Sequence, residues 1–374
     1  MNHETMTLLV DGRQAFPEII RCIEEAKTSV QINMFIWRDD RIGNRMARAV
    51  LAAADEGARV DISVDRYGVV LEKCEECKKS FFHKEQSLTE KMKSRLLELF
   101  YPENTAPGKI SDEYSDLYRR IMGHPNIRVS ADVFKADHSK YYIIDERILF
   151  LGGINIEDKE NGHDISGRVY GDYMAKLEGE DYVRAFREKL ATGRCILDDL
   201  YFGLNQKIPV HRFEMEELYL DLITSAREEL HITMAYFSPL PQFLEAIAAA
   251  HRRGVRVTIV IPERANFQND SNRRTVVKLL KATGGGIRVY FCPKMLHTKL
   301  VMNEQTISFG STNITKKAFG QLDELNLFVK NEESEFCNRL RESVAADIRI
   351  STPVTSHQDV TCRKWLAFLE GFMV

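Results

Sequence analysis

The chain repeats one order of helix and strand about two hundred positions apart, and that duplication limits the fold more than any other feature. Ala26-Lys27-Thr28-Ser29-Val30-Gln31-Ile32 leads into Phe35-Ile36, and Ala226-Arg227-Glu228-Glu229-Leu230-His231-Ile232 leads into Tyr236-Phe237. Each reads as the end of an amphipathic helix followed by a buried strand. A second helix follows in both copies, closing with Ala52-Ala53-Ala54-Asp55-Glu56-Gly57 and with Ala248-Ala249-Ala250-His251-Arg252-Arg253-Gly254. Gly57 and Gly254 fit the position just past a helix, where a left-handed backbone costs glycine least. β-Branched runs come next, Val60 to Val64 and Val255 to Ile261. Helix–strand–helix–strand twice over predicts a layered α/β fold with an internal duplication.

The 374 residues divide accordingly into halves at 1–190 and 210–350, a linker at 191–209 and a tail at 351–374 that ends in a short helix, Cys362 to Phe372. The halves differ by an insertion. Gly57 and His138 are 81 positions apart, Gly254 and His297 only 43, and the surplus falls around 71–123. That stretch carries Phe81-Phe82 and apolar residues at helical spacing, Leu88, Met92, Leu96, Leu99 and Phe100. It reads either as a helical excursion packed on the body or as a lid or membrane-contacting element, since long insertions often carry function.

Basic residues number 52 against 55 acidic, a formal charge of −3. This excludes a dominant acidic tail or a basic nucleic-acid coat, though not a local basic cleft. No apolar run approaches the roughly 18 residues that span a bilayer. The N-terminus has no basic region ahead of an apolar one, as a secretory signal would. Seven scattered cysteines, an odd count, point to a reduced, cytoplasmic compartment rather than a disulfide framework. The expected location is cytoplasmic and peripheral to the inner membrane surface.

The chemistry is also duplicated. His138-Ser139-Lys140 is followed after four residues by Asp145, and His297-Thr298-Lys299 after four residues by Glu304. Each motif runs into an apolar strand and a small-residue turn, Gly152-Gly153-Ile154-Asn155 or Gly310-Ser311-Thr312-Asn313. A carboxylate comes next, Asp172 in one copy and Glu324 in the other. Residues two apart on a strand share a face, so each histidine projects with its lysine. The small residues beside each asparagine let backbone approach a ligand closely. Two halves about a pseudo-twofold axis would offer two imidazoles, two ammoniums and two amides to one pocket.

That set suits a phosphodiester. Lys140, Lys299, Asn155 and Asn313 can hold its anionic oxygens. One neutral histidine can attack phosphorus, and the other, protonated, can protonate the leaving oxygen. Asp172 and Glu324 are candidates to orient the imidazoles. The scheme needs no metal or cofactor. A single histidine on a strand is usually packing, and a single His-x-Lys means little. Two copies with matching downstream turn, asparagine and carboxylate make the catalytic reading much the stronger one.

These residues resemble the phospholipase D superfamily, whose mark is a duplicated His-x-Lys-x4-Asp motif, over about residues 8–330. Met34-Phe35-Ile36-Trp37, the Gly43 turn, Leu151 to Ile156, Asp172-Tyr173 and Leu177 to Gly179 look most like the bacterial cardiolipin synthases, as do Leu296 to Lys299 and Gly310 to Asn313. The resemblance implies an αβα sandwich in each half, with a mixed sheet, and one active site between pseudo-twofold-related halves. It implies a phosphatidyltransferase working through a phosphohistidine on a phospholipid at a membrane surface, with His138 as nucleophile and His297 as acid and base. The alternative is a hydrolase or nuclease with the same two-histidine mechanism, nucleic acid being the less favoured partner. Asp145 and Glu304 are supporting residues; Glu304 departs from the family's aspartate, and Asn303 could cover its role. The chain resembles members without N-terminal membrane helices. Cys74-Glu75-Glu76-Cys77 with His83 is a weak metal candidate, as it lacks a second pair.

Overall fold

The computed structural model describes residues 4–68, 79–82, 89, 92, 114–164, 166–195 and 197–372. It divides into two compact units. One comprises Met1–Tyr170 with Met174–Arg184, the other Gly171–Tyr173 with Ala185–Val374.

The first unit is built on strands β1 (Thr5–Val10), β2 (Ser29–Met34), β3 (Arg59–Val64), β4 (Ile127–Ser130), β5 (Tyr141–Ile144), β6 (Ile148–Gly152) and β7 (Tyr173–Glu178). The second is built on β8 (Leu200–Gln206), β9 (Glu229–Met234), β10 (Arg256–Pro262), β11 (Arg288–Cys292), β12 (Lys299–Asn303), β13 (Thr306–Gly310) and β14 (Glu324–Lys330). The first sheet runs β1-β7-β6-β5-β2-β3-β4 and the second β8-β14-β13-β12-β9-β10-β11, one order used twice. Both are mixed. β2, β3 and β4 are parallel, as are β9, β10 and β11, while β5 and β12 join antiparallel. Short strands at Arg212–Phe213 and Thr352–Val354 extend the two edges of the second sheet.

Helices connect the strands at matching points: α1 (Asp11–Glu24), α2 (Arg41–Asp55) and α3 (Asp116–Gly123) in the first unit, then α4 (Glu180–Thr192). The second unit holds α5 (Met215–Ser225), α6 (Pro241–Arg252), α7 (Asn269–Ala282), α8 (Lys316–Gly320), α9 (Glu335–Ile350) and α10 (Lys364–Phe372). In α1 the buried Ala15, Phe16, Ile19, Ile20 and Ile23 recur at helical spacing and meet Val30, Ile32, Val60 and Ile62 of the sheet. In β10 alternate residues divide between two faces. Val257, Ile259 and Ile261 join the core of α5, α6 and α7, whereas Val260 meets Ile348 of α9 through a smaller cluster. The second sheet is therefore covered by helices on both sides, the αβα layering expected. Gly57 and Gly254 follow α2 and α6 with φ of 101° and 90°, the left-handed backbone expected there.

Two expectations about organisation change. The stretch 191–209, read as a linker, contains β8, which pairs antiparallel with β14 from Asn205↔Glu324 to Leu200↔Val329. Gly203 gives the segment the look of a loop. An added Cβ there would lie 2.5 Å from the Phe328 ring and 2.8 Å from the Met215 sulfur, so its missing side chain makes room for the core. Within 71–123, α3 occupies the place between β3 and β4 that α7 occupies between β10 and β11, so it belongs to the repeat. Phe81 and Phe82 are buried against Trp37, with ring centroids 5.7 and 5.4 Å away, in the first core. Leu88, Leu96, Leu99, Phe100 and the Cys74, Cys77 and His83 cluster lie outside the described residues.

Asp145 and Glu304 tie each hairpin to the corner between helix and strand. Asp145 accepts from the backbone N–H of Lys27 at 2.8 Å, Thr28 at 2.7 Å and Ser29 at 3.0 Å. Glu304 accepts from Arg227 at 2.9 Å and from Glu228 and Glu229, each at 3.3 Å. The extra methylene of Glu304 does not prevent the bond. Asn303 is not its deputy, because its Oδ1 accepts from Gln305 and Thr306 within the hairpin turn. Partial burial pushes both carboxyl pKa values up, but the surrounding amides outweigh it and hold both below the usual range.

Asp145→Ala should lower unfolding free energy by about 1–3 kcal/mol, measured by urea titration, because the three amides lose their acceptor. A carboxyl with a depressed folded-state pKa stabilises above its unfolded value and loses that contribution as pH falls through the folded value. The gap between wild type and Asp145→Ala should therefore narrow in acid. A gap that stays constant down to the acid transition would contradict the assignment.

Candidate active site

In the first unit the His138-Ser139-Lys140 triplet lies just ahead of β5 rather than inside a strand. Local hydrogen bonds replace the ladder there. The Ser139 N–H donates to Asp137 Oδ1 at 3.0 Å, and Asn33 Nδ2 donates to Asp137 Oδ2 at 2.9 Å and to Ser139 Oγ at 3.0 Å. Asp65, whose pKa burial pushes up against three amide donors, holds the preceding turn through the N–H groups of Lys135 and Asp137.

His138 and Lys140 do share a side, and the Lys140 ammonium donates to the His138 carbonyl oxygen. Phe35 stands edge-on to the imidazole, centroids 4.8 Å apart, and lies 5.2 Å from the Lys140 Nζ. Both motif residues are buried, His138 retaining 8% exposure and Lys140 none. Asn155 is fixed from its neighbour. Trp37 and Ile156 form a parallel bridge in which Ile156 N–H donates to Ile36 O at 3.0 Å and Arg38 N–H to Ile156 O at 2.9 Å. The Asn155 Oδ1 is buried with no hydrogen-bond partner among the described residues.

The second unit repeats the arrangement. Lys299 opens β12, and its ammonium donates to the His297 carbonyl. Phe237–Ser238 pair in parallel with Ile314–Thr315, the counterpart of the Trp37–Ile156 bridge, which fixes Asn313. The Asn313 Oδ1 accepts from Tyr236 N–H at 3.2 Å, leaving its NH₂ as the donor. Tyr236 stands edge-on to His297 at 6.3 Å, as Phe35 does to His138.

Asp172 belongs to this second unit. Its Oδ2 lies 3.0 Å from His297 Nδ1 and 3.6 Å from Lys299 Nζ. The neighbouring Gly171 carbonyl accepts from His297 N–H at 2.8 Å and from Thr298 Oγ1 at 3.1 Å. A carboxylate on Nδ1 selects the tautomer with the proton there and leaves Nε2 to the reaction.

Glu324 is fully buried and accepts from the Ser311 hydroxyl, which in turn accepts from Leu325 N–H at 2.9 Å. The small residues of this turn serve packing. An added Cβ at Gly310 would lie 2.3 Å from the Leu325 carbonyl oxygen, so it is the adjacent strand, not a ligand, that comes close. Thr312 N–H donates to Asn326 Oδ1 at 3.1 Å, and Asn326 Nδ2 donates to Tyr219 Oη at 2.8 Å.

The motif spacing locates His138, Lys140, His297, Lys299 and both asparagines. It does not reveal Phe35, Tyr236 or Ser311, whose roles depend on packing, nor which imidazole Asp172 meets. Among the described residues no cluster of three histidine, cysteine, aspartate or glutamate side chains is placed to hold a metal. No described helix is long and apolar enough to cross a membrane.

Comparison with known proteins supplies the lineage. A family model described as "Cardiolipin synthase, PLD-like domain" matches residues 19–188 and 219–348. Cardiolipin synthase B of Escherichia coli K12 is 28% identical over 367 residues, covering 91% of this chain and 80% of the relative. Cardiolipin synthase 2 of Staphylococcus epidermidis is 24% identical over 390 residues, covering 98% and 72%. Among solved structures, the phosphatidylserine synthase of Haemophilus influenzae superposes with a TM-score of 0.68 at 12% identity, covering 98% of this chain and 92% of the other. That last likeness establishes the fold alone. The family match covers well over half of the chain, in two blocks that coincide with the two copies of the repeat; the chain belongs to the cardiolipin synthase family of phospholipase D-like enzymes.

Proposed function

We propose that this phospholipase D-type phosphatidyltransferase moves a phosphatidyl group from one phosphatidylglycerol to the free hydroxyl of another, giving cardiolipin and glycerol at a membrane surface. A ring nitrogen of His138 attacks phosphorus. The bond from phosphorus to the glycerol oxygen breaks, and His297, protonated, gives its proton to that oxygen. A phosphatidyl-histidine remains. His297, now neutral, takes the proton of the incoming hydroxyl, whose oxygen attacks phosphorus and releases His138. Water in place of the alcohol would give phosphatidic acid by the same steps. Lys140, Lys299, Asn155 and Asn313 hold the phosphoryl oxygens, whose negative charge grows in the transition state.

The observation that carries this reading is Asp172 Oδ2 at 3.0 Å from His297 Nδ1. It fits a histidine that must alternate between acid and base, since a carboxylate on one nitrogen stabilises the imidazolium and aims the other nitrogen. By the symmetry of the duplication, Glu324 is the counterpart of Asp172 and the second candidate for a positioning carboxylate. The Asn155 Oδ1, buried without a partner among the described residues, is an acceptor and fits a donating hydroxyl of a glycerol headgroup, while its NH₂ is the group that can reach a phosphoryl oxygen.

Purified protein given phosphatidylglycerol vesicles should form cardiolipin and glycerol in equal amounts, read by mass spectrometry. Phosphatidic acid as the sole product would make it a hydrolase, and no product from any phospholipid would sink the reading. His138→Ala should abolish turnover, whereas His297→Ala should retain turnover of substrates with good leaving groups, for which an acid matters least. The reverse pattern would exchange their roles. Asp172→Asn should lower kcat roughly 10²–10⁴-fold with KM nearly unchanged. An effect confined to KM would assign Asp172 to binding instead.

A further inference from the structure

Helix α10 packs the wrong way round for a helix that serves only the core. Trp365, Phe368 and Leu369 are 64%, 55% and 41% exposed, while Glu370 is buried on the side facing α7. The spacing of the three apolar residues places them on one helical face. Glu370 accepts from Ser271 N–H at 2.7 Å, and Arg363 pairs with Asp270 at 3.1 Å, so polar contacts seat the helix and its apolar face is turned outward. Burial pushes the Glu370 pKa up to about 7.

Beside that face lies a cavity of about 250 Å³ lined by Ser238, Ser271, Thr275, Arg274 and Lys278, with Ala367 and Phe368 at its α10 side. Neither Arg274 nor Lys278 has an ion-pair partner among the described residues. Lys278 is exposed and Arg274 half-buried; partial desolvation, and then the charge of Arg274, hold the Lys278 ammonium below its usual range, and an anion between the two would offset their repulsion. The hydroxyls of Ser238 and Ser271 with the two cations suit a phosphate group, the Thr275 hydroxyl being donated to the Phe237 carbonyl at 2.7 Å, and the aromatic and aliphatic side chains beside them suit acyl chains at the depth of the headgroups. Ser238 lies two residues beyond Tyr236, the aromatic neighbour of His297, so the cavity shares a chain segment with the catalytic histidine's surroundings.

We infer that the groove between α7 and α10 is a docking site for an anionic phospholipid of the bilayer, with its phosphate between Arg274 and Lys278 and with Trp365, Phe368 and Leu369 entering the acyl layer. The inference rests on the proposed lipid substrate for its biological sense. Its physical basis is separate, because none of these residues takes part in the chemistry.

The test uses the full chain with vesicles of phosphatidylcholine alone or mixed with phosphatidylglycerol, read by sedimentation and by tryptophan emission. Trp37 is fully buried in the first core, so a blue shift on binding reports Trp365, the other tryptophan of the chain. Wild type should bind the anionic vesicles with a blue shift that Trp365→Phe abolishes. Arg274→Gln with Lys278→Gln, and separately Phe368→Ser with Leu369→Ser, should each weaken binding at least about tenfold. Both double variants should turn over a soluble bis(aryl) phosphate at the wild-type rate, which also shows that they are folded. Wild type that ignores anionic vesicles, or variants that bind them equally well, would overturn the docking site. Wild type that binds vesicles but never cleaves the aryl phosphate would defeat the catalytic reading and leave the docking site standing.

Discussion

A carboxylate that accepts a hydrogen bond from one imidazole nitrogen decides what the other nitrogen can do, and the arrangement around His297 follows from that constraint. Asp172 can reach Nδ1 only because Gly171 is held against the same histidine, its carbonyl taking both the His297 N–H and the Thr298 hydroxyl. These residues precede β7 in the chain yet belong to the second compact unit. The carboxylate therefore follows the first copy of the motif in sequence and meets the histidine of the second.

The supporting carboxylates do a different job. Asp145 and Glu304 face backbone amides at the helix–strand corners, and nothing in their contacts reaches the imidazoles. Their place five positions after each lysine reflects the length of β5 and β12, which must run that far before the hairpin turns. That Glu304 makes the same set of contacts, at somewhat greater distances, follows from the task, because a cluster of amides tolerates an acceptor carried on a longer arm.

The duplication, the paired sheets and the motif residues were legible because they leave local marks. Glycines follow helices where φ is positive, and histidine, lysine, asparagine and carboxylate recur in order. What was not legible is tertiary. β8 hides in a stretch that reads as a linker, since Gly203, Asn205 and Gln206 break the usual look of a strand. Only the packing of Phe328 and the Asn205 bonds to Met215 N–H and the Ala318 carbonyl account for the first two. The small residues at Gly310 and Ser311 suggested room for a ligand, whereas their space is filled by β14. Nor can spacing separate a working histidine from a packed one. His231 lies in a repeat segment too, but it is buried beside Thr233 with its pKa pushed down to about 3 by burial, fit for packing and not for proton transfer.

The central claim is that two histidines, one from each copy of the repeat, divide nucleophilic and acid–base work at one phosphorus. Rapid quench of the enzyme with phospholipid carrying labelled phosphorus, followed by peptide mapping under alkaline conditions that preserve phosphohistidine, tests it most directly. The account predicts label on His138 and none on His297, with label accumulating when His297 is replaced and the substrate has a good leaving group. Label on His297, or steady turnover with neither histidine ever labelled, would contradict it.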